Sequence, residues 1–153
     1  STKRNEGMTS IGVKIICPEN LLPQYAHPTD AGCDLRYSGV ESLSIPRGGW
    51  RLVETGVKLA IPERDEAQMR SRSGNAAKRG LFVLNSPGTI DSQYRGEVKV
   101  LLANFSETEQ VIHPGDRVAQ LVFAPVAHAV FESVKALDYT QRGSGGFGST
   151  GTK

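Results

Sequence analysis

The sequence has 153 residues, and 18 Lys and Arg against 16 Asp and Glu leave a net charge of +2. Hydrophobic residues make up 38% and charged residues 22% of the chain, which excludes a disordered tail and a membrane protein. The small charge gives no reason to expect nucleic acid or a membrane as a partner, so phosphate binding would need a local site. We therefore expect one domain with its own core.

Short runs that alternate between apolar and polar residues are predicted to be strands. In chain order these runs lie at 11–15, 43–45, 50–52, 57–61, 97–105 and 117–124. Turn residues, including Pro and Gly, separate several of them, at 46–49, 85–88 and 113–116. Many short strands at this spacing predict an all-β sandwich or barrel.

One short helix is predicted over 75–79, with Ser73 as its N-cap and Gly80 as its terminator. The segment 126–137 stays open between strand and helix, because its apolar spacing also suits a helix.

The two cysteines, Cys17 and Cys33, do not form a disulfide framework or a CxxC pair. We expect two reduced, buried thiols, with a single bridge as the alternative.

The first ten residues are polar and lack the apolar region of a signal peptide. A soluble intracellular protein is the expectation, cytoplasmic or in the nucleus or an organelle.

The C-terminal segment 139–153 differs from the rest in being rich in Gly, Ser and Thr, with Phe147 as its one large apolar residue after Tyr139. Such a composition cannot order itself by its own contacts. The segment is either a dispensable tail or a flap that orders on a ligand. It is not a P-loop, because Thr152 precedes Lys153 and no helix follows.

Two internal segments carry groups that suit phosphate chemistry. Arg72-Ser73-Gly74 combines an arginine, a hydroxyl and main-chain N–H groups next to the predicted helix. The segment 88–96 is predicted to be a hairpin-like loop with a carboxylate, Asp91, beside an aromatic ring, Tyr94. The three histidines of the chain lack the spacing of metal ligands.

Taken together, five segments resemble the motifs of the trimeric dUTPase family (deoxyuridine 5'-triphosphate nucleotidohydrolase, or dUTP diphosphatase). In order they are Ala-Gly-Cys-Asp-Leu at 31–35, Arg-Ser-Gly at 72–74, the Ile-Asp and Tyr-Arg-Gly segment at 88–96, Gly-Asp-Arg-Val-Ala-Gln-Leu at 115–121 and the Gly-rich segment at 142–150. One such match is weak evidence, but five in this order are specific.

The resemblance implies a jelly-roll β-barrel of the β-clip type, in a homotrimer whose active sites are shared among subunits. It divides the chain into a polar N-terminal extension (1–9), a β-barrel domain (10–138) and a flexible arm that closes over the site (139–153). It also favours a strand over 130–134, exchanged onto a neighbouring subunit.

The implied reaction is hydrolysis of dUTP to dUMP and diphosphate with Mg²⁺, which limits uracil in DNA and supplies dUMP for thymidylate synthesis. Asp91 resembles the catalytic group that orients and deprotonates the attacking water. Asp34 resembles a residue that touches the metal through water. Phosphate contacts are implied for Arg72, Ser73, Gly74, Gln120 and Arg142. Two further residues of the arm, Phe147 and Gly148, are implied to bind the substrate, Phe147 by stacking over uracil.

The resemblance places Tyr94 against the deoxyribose, where its ring would leave no room for a 2′-hydroxyl. Main-chain groups of Gly88, Thr89, Ile90 and Lys99 would pair with uracil, assisted by Asn85. Two departures from the family pattern lie beside these groups: Asn75 in place of an apolar residue after Arg-Ser-Gly, and the pair at 86–87, Ser-Pro.

Two other functions remain as alternatives. A dCTP deaminase shares the fold, but it needs a catalytic glutamate in the strand after the third motif and usually lacks Tyr-Arg-Gly, which is present at 94–96. A dUTPase-like protein can also act as a nucleotide-gated binding partner. The intact Asp91 and the intact fifth motif favour catalysis.

Overall fold

The computed structural model describes residues 7–153, so the extension predicted over 1–9 lies mostly outside the described residues. The described chain forms ten strands: β1 (Lys14–Ile16), β2 (Gly32–Arg36), β3 (Leu43–Ile45), β4 (Trp50–Ala60), β5 (Asp65–Arg70), β6 (Leu81–Val83), β7 (Gly88–Ile90), β8 (Glu97–Asn104), β9 (Gln110–Ile112) and β10 (Arg117–Pro125). One α-helix, α1 (Ser73–Arg79), and a 3₁₀ turn at Glu19–Leu21 complete the regular structure of residues 7–153.

The strands of the described chain pair antiparallel in three sheets. The orders are β1-β4-β8-β6, β2-β10-β5-β7 and β3-β9. The all-β prediction is confirmed. The hydrogen-bonded ladders of residues 7–153 remain separate sheets, however, and do not close into one barrel.

Buried side chains from both four-stranded sheets share one core. Val53 and Val100 come from the first sheet, whereas Leu35 and Leu121 come from the second, and all four are fully buried. Each such side chain stabilises the fold by roughly 1.5–3 kcal/mol through removal of apolar surface from water. The core therefore gives the polar loops at the sheet edges a fixed frame.

β4 joins two runs that were predicted as separate strands, 50–52 and 57–61, into one strand of 11 residues. Its pairing with β8 shifts register between Glu54 and Val57. Gly56, at this bulge, has a φ of +69°, which side-chain-bearing residues rarely adopt. Buried and exposed side chains still alternate from Val53 to Leu59, but the buried residue at 55 is a polar threonine. The apolar pattern of the sequence therefore resembles two strands.

The predicted helix exists but begins two residues earlier than expected, at Ser73. Arg72 is the N-cap, and no side chain caps it, so the prediction that Ser73 is the N-cap was wrong. Gly80 ends the helix in the left-handed conformation (φ +62°), as predicted, and its N–H donates to the carbonyl of Ala76.

Beyond β10, residues 126–153 contain neither helix nor strand in the described chain. The large apolar side chains of this segment are exposed, including Val130 at 98% and Phe131 at 93%. The strand expected over 130–134 is therefore absent from the isolated chain, because no strand edge of the described residues pairs with this segment.

Cys17 and Cys33 are both free thiols. Cys33 is buried as predicted, whereas Cys17 is only partly buried.

Within residues 7–153 the structure has no helix that is long and apolar enough to cross a membrane.

Candidate active site

A cleft of about 360 Å³, which we call the Arg72 cleft, gathers the residues expected to bind phosphate and metal outside the arm. β2 and β10 are hydrogen-bonded neighbours, and Asp34 lies opposite Gln120 in their register. The start of α1 lies beside them. The predicted residues that line the cleft are Asp34, Arg72, Ser73, Gly74 and Gln120.

Asp34 organises the positive charge of the Arg72 cleft. Its carboxylate accepts a hydrogen bond from Nε of Arg72 at 2.9 Å, and Nε of Arg117 lies 3.8 Å from its other oxygen. Two guanidinium groups thus face one carboxylate, and Arg72, which lines the cleft, is a side chain that pairs well with phosphate oxygens. Sequence reasoning did not single out Arg117, although its place in the motif at 115–121 was an available signal.

Gly32 lies against the side chain of Gln120, a contact that the sequence alone did not reveal. Nε2 of Gln120 donates to the carbonyl of Ser71 at 2.9 Å. A Cβ on Gly32 would lie 2.1 Å from Oε1 of the same side chain, closer than any real contact. Glycine at position 32 therefore leaves the space that the Gln120 carboxamide occupies.

A second cleft, of about 350 Å³, gathers the residues expected to bind the nucleoside and to activate water, and we call it the Asp91 cleft. Leu52, Met69 and Leu101 form part of its apolar wall. The predicted residues that line it are Asn85, Gly88, Thr89, Ile90, Asp91, Tyr94 and Lys99.

The segment 88–96 is not the hairpin that the sequence suggested. β7 pairs with β5, with Gly88 opposite Met69, whereas β8 belongs to the other four-stranded sheet. The loop at 91–96 therefore crosses from one sheet to the other. The Asp91 cleft lies where the two sheets diverge, which brings Gly88 and Lys99 to one cavity although they are not strand partners.

Tyr94 is held at the edge of the Asp91 cleft by its own loop. Its main-chain N–H donates to the carbonyl of Asp91 at 3.2 Å, and its hydroxyl donates to the carbonyl of Glu97 at 2.8 Å. A Cβ on Gly96 would lie 2.5 Å from the Tyr94 hydroxyl oxygen, so only glycine leaves this ring position open. About half of the Tyr94 side chain remains exposed and available to a ligand.

The structure does not bring all predicted site residues together. Among the described residues, the Arg72 cleft and the Asp91 cleft share no lining residue. Arg142, Phe147 and Gly148 line neither cleft. Phe147 is fully exposed, and Nε of Arg142 donates to the carbonyl of Gly145 within the arm itself. One chain thus presents three separate parts of the expected site.

The carboxylate of Asp34 in the Arg72 cleft suits a divalent metal only as a contact through metal-bound water. Residues 7–153 contain no group of three or more His, Cys, Asp or Glu side chains placed to hold a metal ion. Asp34 already faces Arg72 and Arg117, so its oxygens are better placed to accept from metal-bound water than to coordinate directly. Mg²⁺ commonly keeps several waters and binds through substrate phosphates, which agrees with this arrangement.

Two ionisable groups near Asp34, the Cys33 thiol and the Tyr25 hydroxyl, have raised pKa values. Burial raises the pKa of the Cys33 thiol, and burial together with Cys33 raises the pKa of the Tyr25 hydroxyl. Sγ of Cys33 lies 3.6 Å from the carbonyl oxygen of Leu121. The thiol therefore stays protonated at neutral pH and adds no negative charge to the Arg72 cleft.

The dUTPase family model matches residues 19–151. The chain belongs to the dUTPase family. One similar relative is the deoxyuridine 5'-triphosphate nucleotidohydrolase of Anaplasma marginale, which is 56% identical over 132 residues and covers 86% of this chain and 89% of its own.

Solved structures share the fold. The dUTPase of Staphylococcus bacteriophage 80alpha with dUPNHPP superposes with a TM-score of 0.83, is 25% identical and covers 94% of this chain and 100% of its own. A dUTPase of phage phi11 of S. aureus, described with a structural Mg(II) ion, has a TM-score of 0.74 at 23% identity, over 84% of this chain and 100% of its own.

Proposed function

We propose that this protein hydrolyses dUTP to dUMP and diphosphate. The observation that carries the proposal is the contents of the Asp91 cleft: the carboxylate, the aromatic ring and the main-chain groups expected for a deoxyuridine nucleotide all line one cavity. Membership of the dUTPase family and the names of its relatives support the same substrate.

Asp91 is the group that orients and deprotonates the water attacking the α-phosphorus. Its side chain is exposed in the cleft and makes no hydrogen bond to any described residue, so it is free to accept one from water. An aspartate is a weak base at neutral pH. Most of the rate enhancement therefore comes from positioning and from neutralisation of phosphate charge.

The Arg72 cleft binds the phosphate chain. The guanidinium of Arg72 uses Nε on Asp34 and keeps its terminal nitrogens for phosphate oxygens. Ser73, Gly74 and Gln120 supply further donors beside it. Asp34 would hold Mg²⁺ through water beside the bound phosphates, and the ion would supply charge neutralisation there.

The Asp91 cleft selects the base and the sugar. Main-chain groups of Gly88, Thr89, Ile90 and Lys99 pair with the polar edge of uracil, and Asn85 assists them. Nδ2 of Asn85 lies 3.3 Å from where a Cβ on Gly88 would be, so the amide packs directly beneath this main chain. The Tyr94 ring lies against the deoxyribose and excludes a 2′-hydroxyl by its bulk.

The active form is a homotrimer in which different copies supply the two clefts of one site. A single chain leaves Val130, Phe131 and Leu137 exposed to water, which supports exchange of the segment 130–134 onto a neighbouring copy as a strand. The domain 10–138 forms the frame, and the arm 139–153 orders over the bound nucleotide through Arg142, Phe147 and Gly148.

The test is diphosphate release from dUTP, UTP, dTTP and dCTP, each with and without Mg²⁺. We expect release from dUTP with Mg²⁺ and release at least about 100-fold slower from the other three, since a site built on fixed polar groups rejects a mismatched partner strongly. Equal rates for dUTP and dTTP, or deamination of dCTP, would rule the proposal out.

A further inference from the structure

Asn75 follows Arg72-Ser73-Gly74 directly, and the proposed chemistry does not use it. Its Nδ2 donates to the main-chain carbonyl of Arg117 at 3.0 Å. Arg117 begins β10, where the pairing with β2 shifts register before Ala119. The Asn75 amide therefore ties the first turn of α1 to the irregular start of β10.

A second tie joins the other end of the same segment to the same strand. Nε2 of Gln120 donates to the carbonyl of Ser71 at 2.9 Å. Between the two ties, Arg72 is held by Asp34 on β2 at 2.9 Å. The segment 71–75 is thus fixed at both ends on β10 and in its middle on the neighbouring strand.

We propose that Asn75 is a positioning residue that orders Arg72-Ser73-Gly74 for the phosphate chain before the nucleotide arrives. This inference rests on the proposed function, because it assigns the phosphates to the Arg72 cleft. A segment that is free at one end must lose backbone entropy when it binds, and a pre-existing tie removes that cost. An apolar residue at position 75 has no side-chain N–H to donate and cannot supply this tie.

Loss of the Asn75 tie should weaken binding of the phosphate chain and leave binding of the nucleoside unchanged. Loss of one hydrogen bond to a main-chain carbonyl is expected to weaken binding of a nonhydrolysable dUTP analogue about fivefold. Binding of dUMP, which lacks the β- and γ-phosphates, should change less than twofold. KM for dUTP should rise by about the same factor as the analogue's Kd, with kcat within twofold.

The experiment compares Asn75→Leu with Asn75→Gln, which keeps an amide donor, and with Ala77→Leu, which adds the same side chain at an exposed position of α1. Calorimetry with the dUTP analogue and with dUMP, each with Mg²⁺, gives the two affinities. We expect the fivefold loss for Asn75→Leu, at least partial recovery for Asn75→Gln and no change for Ala77→Leu. If Asn75→Leu does not fold, Asn75→Ala replaces it in the same comparison.

Two outcomes would overturn the role of Asn75: analogue affinity unchanged in Asn75→Leu, or equal losses for the analogue and dUMP, which would indicate a general structural effect. Diphosphate release by the unsubstituted protein is measured alongside. Its absence would overturn the proposed function, whereas a changed affinity ratio in the variants reports on Asn75.

Discussion

The Arg72 cleft and the Asp91 cleft are held together by different kinds of contact. The Arg72 cleft depends on side chains, above all the pair of Arg72 with Asp34 and the bond from Gln120 to the Ser71 carbonyl. The Asp91 cleft depends on main-chain pairing of β7 with β5 and on the tie of Tyr94 to the Glu97 carbonyl. Main-chain groups in paired strands have fixed directions, whereas the side chains of the Arg72 cleft owe their positions to individual hydrogen bonds that a single substitution can remove.

The two clefts also differ in what they lack. Within residues 7–153, the Arg72 cleft is lined by an arginine but has no lining residue in common with the cleft that holds Asp91. The Asp91 cleft has a carboxylate but no arginine among its lining residues in the described chain. Under the proposed function each cleft is half of one site, and the other half would come from a neighbouring copy of the chain.

The largest expected effect separates chemistry from binding in the Asp91 cleft. Replacing Asp91 with Asn keeps the size of the side chain but removes the base, so turnover should fall by roughly 100-fold or more. Affinity for a nonhydrolysable dUTP analogue should stay within about threefold, because the phosphates bind in the Arg72 cleft. Steady-state assays and calorimetry measure the two quantities, and turnover within threefold of the unsubstituted protein would contradict the assignment.

Removal of the arm 139–153 is the second test of the comparison between the two clefts. The arm lines neither cleft in the described chain. Cutting after Tyr139 should lower activity at least about tenfold, because ordering the arm over the nucleotide depends on its phosphate contacts. Thermal stability should change by less than about 2 °C, since the arm buries little apolar surface.

A cut after Thr150, which keeps Arg142, Phe147 and Gly148, is the matched control and should stay near full activity. Full activity of the shorter protein as well would identify the arm as a dispensable tail.

The smallest expected effect comes from a substitution of Gly32, which should impair phosphate binding in the Arg72 cleft and leave the Asp91 cleft unchanged. Alanine at position 32 would displace the Gln120 carboxamide, since the added Cβ would lie 2.1 Å from its Oε1. We expect Gly32→Ala to weaken binding of the dUTP analogue about fivefold, the scale of one or two hydrogen bonds, with dUMP affinity nearly unchanged.

A double-mutant cycle identifies the cause. If Gly32 acts through Gln120, then Gly32→Ala should cost little in a Gln120→Ala background. Equal losses in both backgrounds would show that Gly32 acts on another part of the chain.

The sequence predicted strands whose side chains alternate clearly, but it did not delimit β2, β5, β6, β7 or β9. β8 and β10 were expected within one residue at each end because most of their buried positions are apolar, with Val and Leu prominent among them. β5 was not delimited, because its buried side chains are only Ala67 and Met69 among polar neighbours. The segment 126–137 stayed ambiguous because its apolar spacing suits a helix as well as a strand.

Part of the lining of the two clefts could be predicted from motifs, but the rest of the lining and the separation of the clefts could not. Motif order along the chain does not say that 72–74 and 88–96 lie in different cavities. The contact between Gly32 and Gln120 was also missed, because a glycine has no side chain to suggest a partner. Such facts depend on how strands distant in sequence pair with each other.

The central claim is that the two clefts of one active site come from different copies of the chain. Mixing Arg72→Ala subunits with Asp91→Asn subunits, after unfolding and refolding together, tests it directly. If the clefts belong to neighbouring copies, an equal mixture forms some sites with both groups intact and recovers about a quarter of the unsubstituted activity. If one copy supplies both clefts, every site lacks one group, and the mixture should show no more activity than the two variants measured apart.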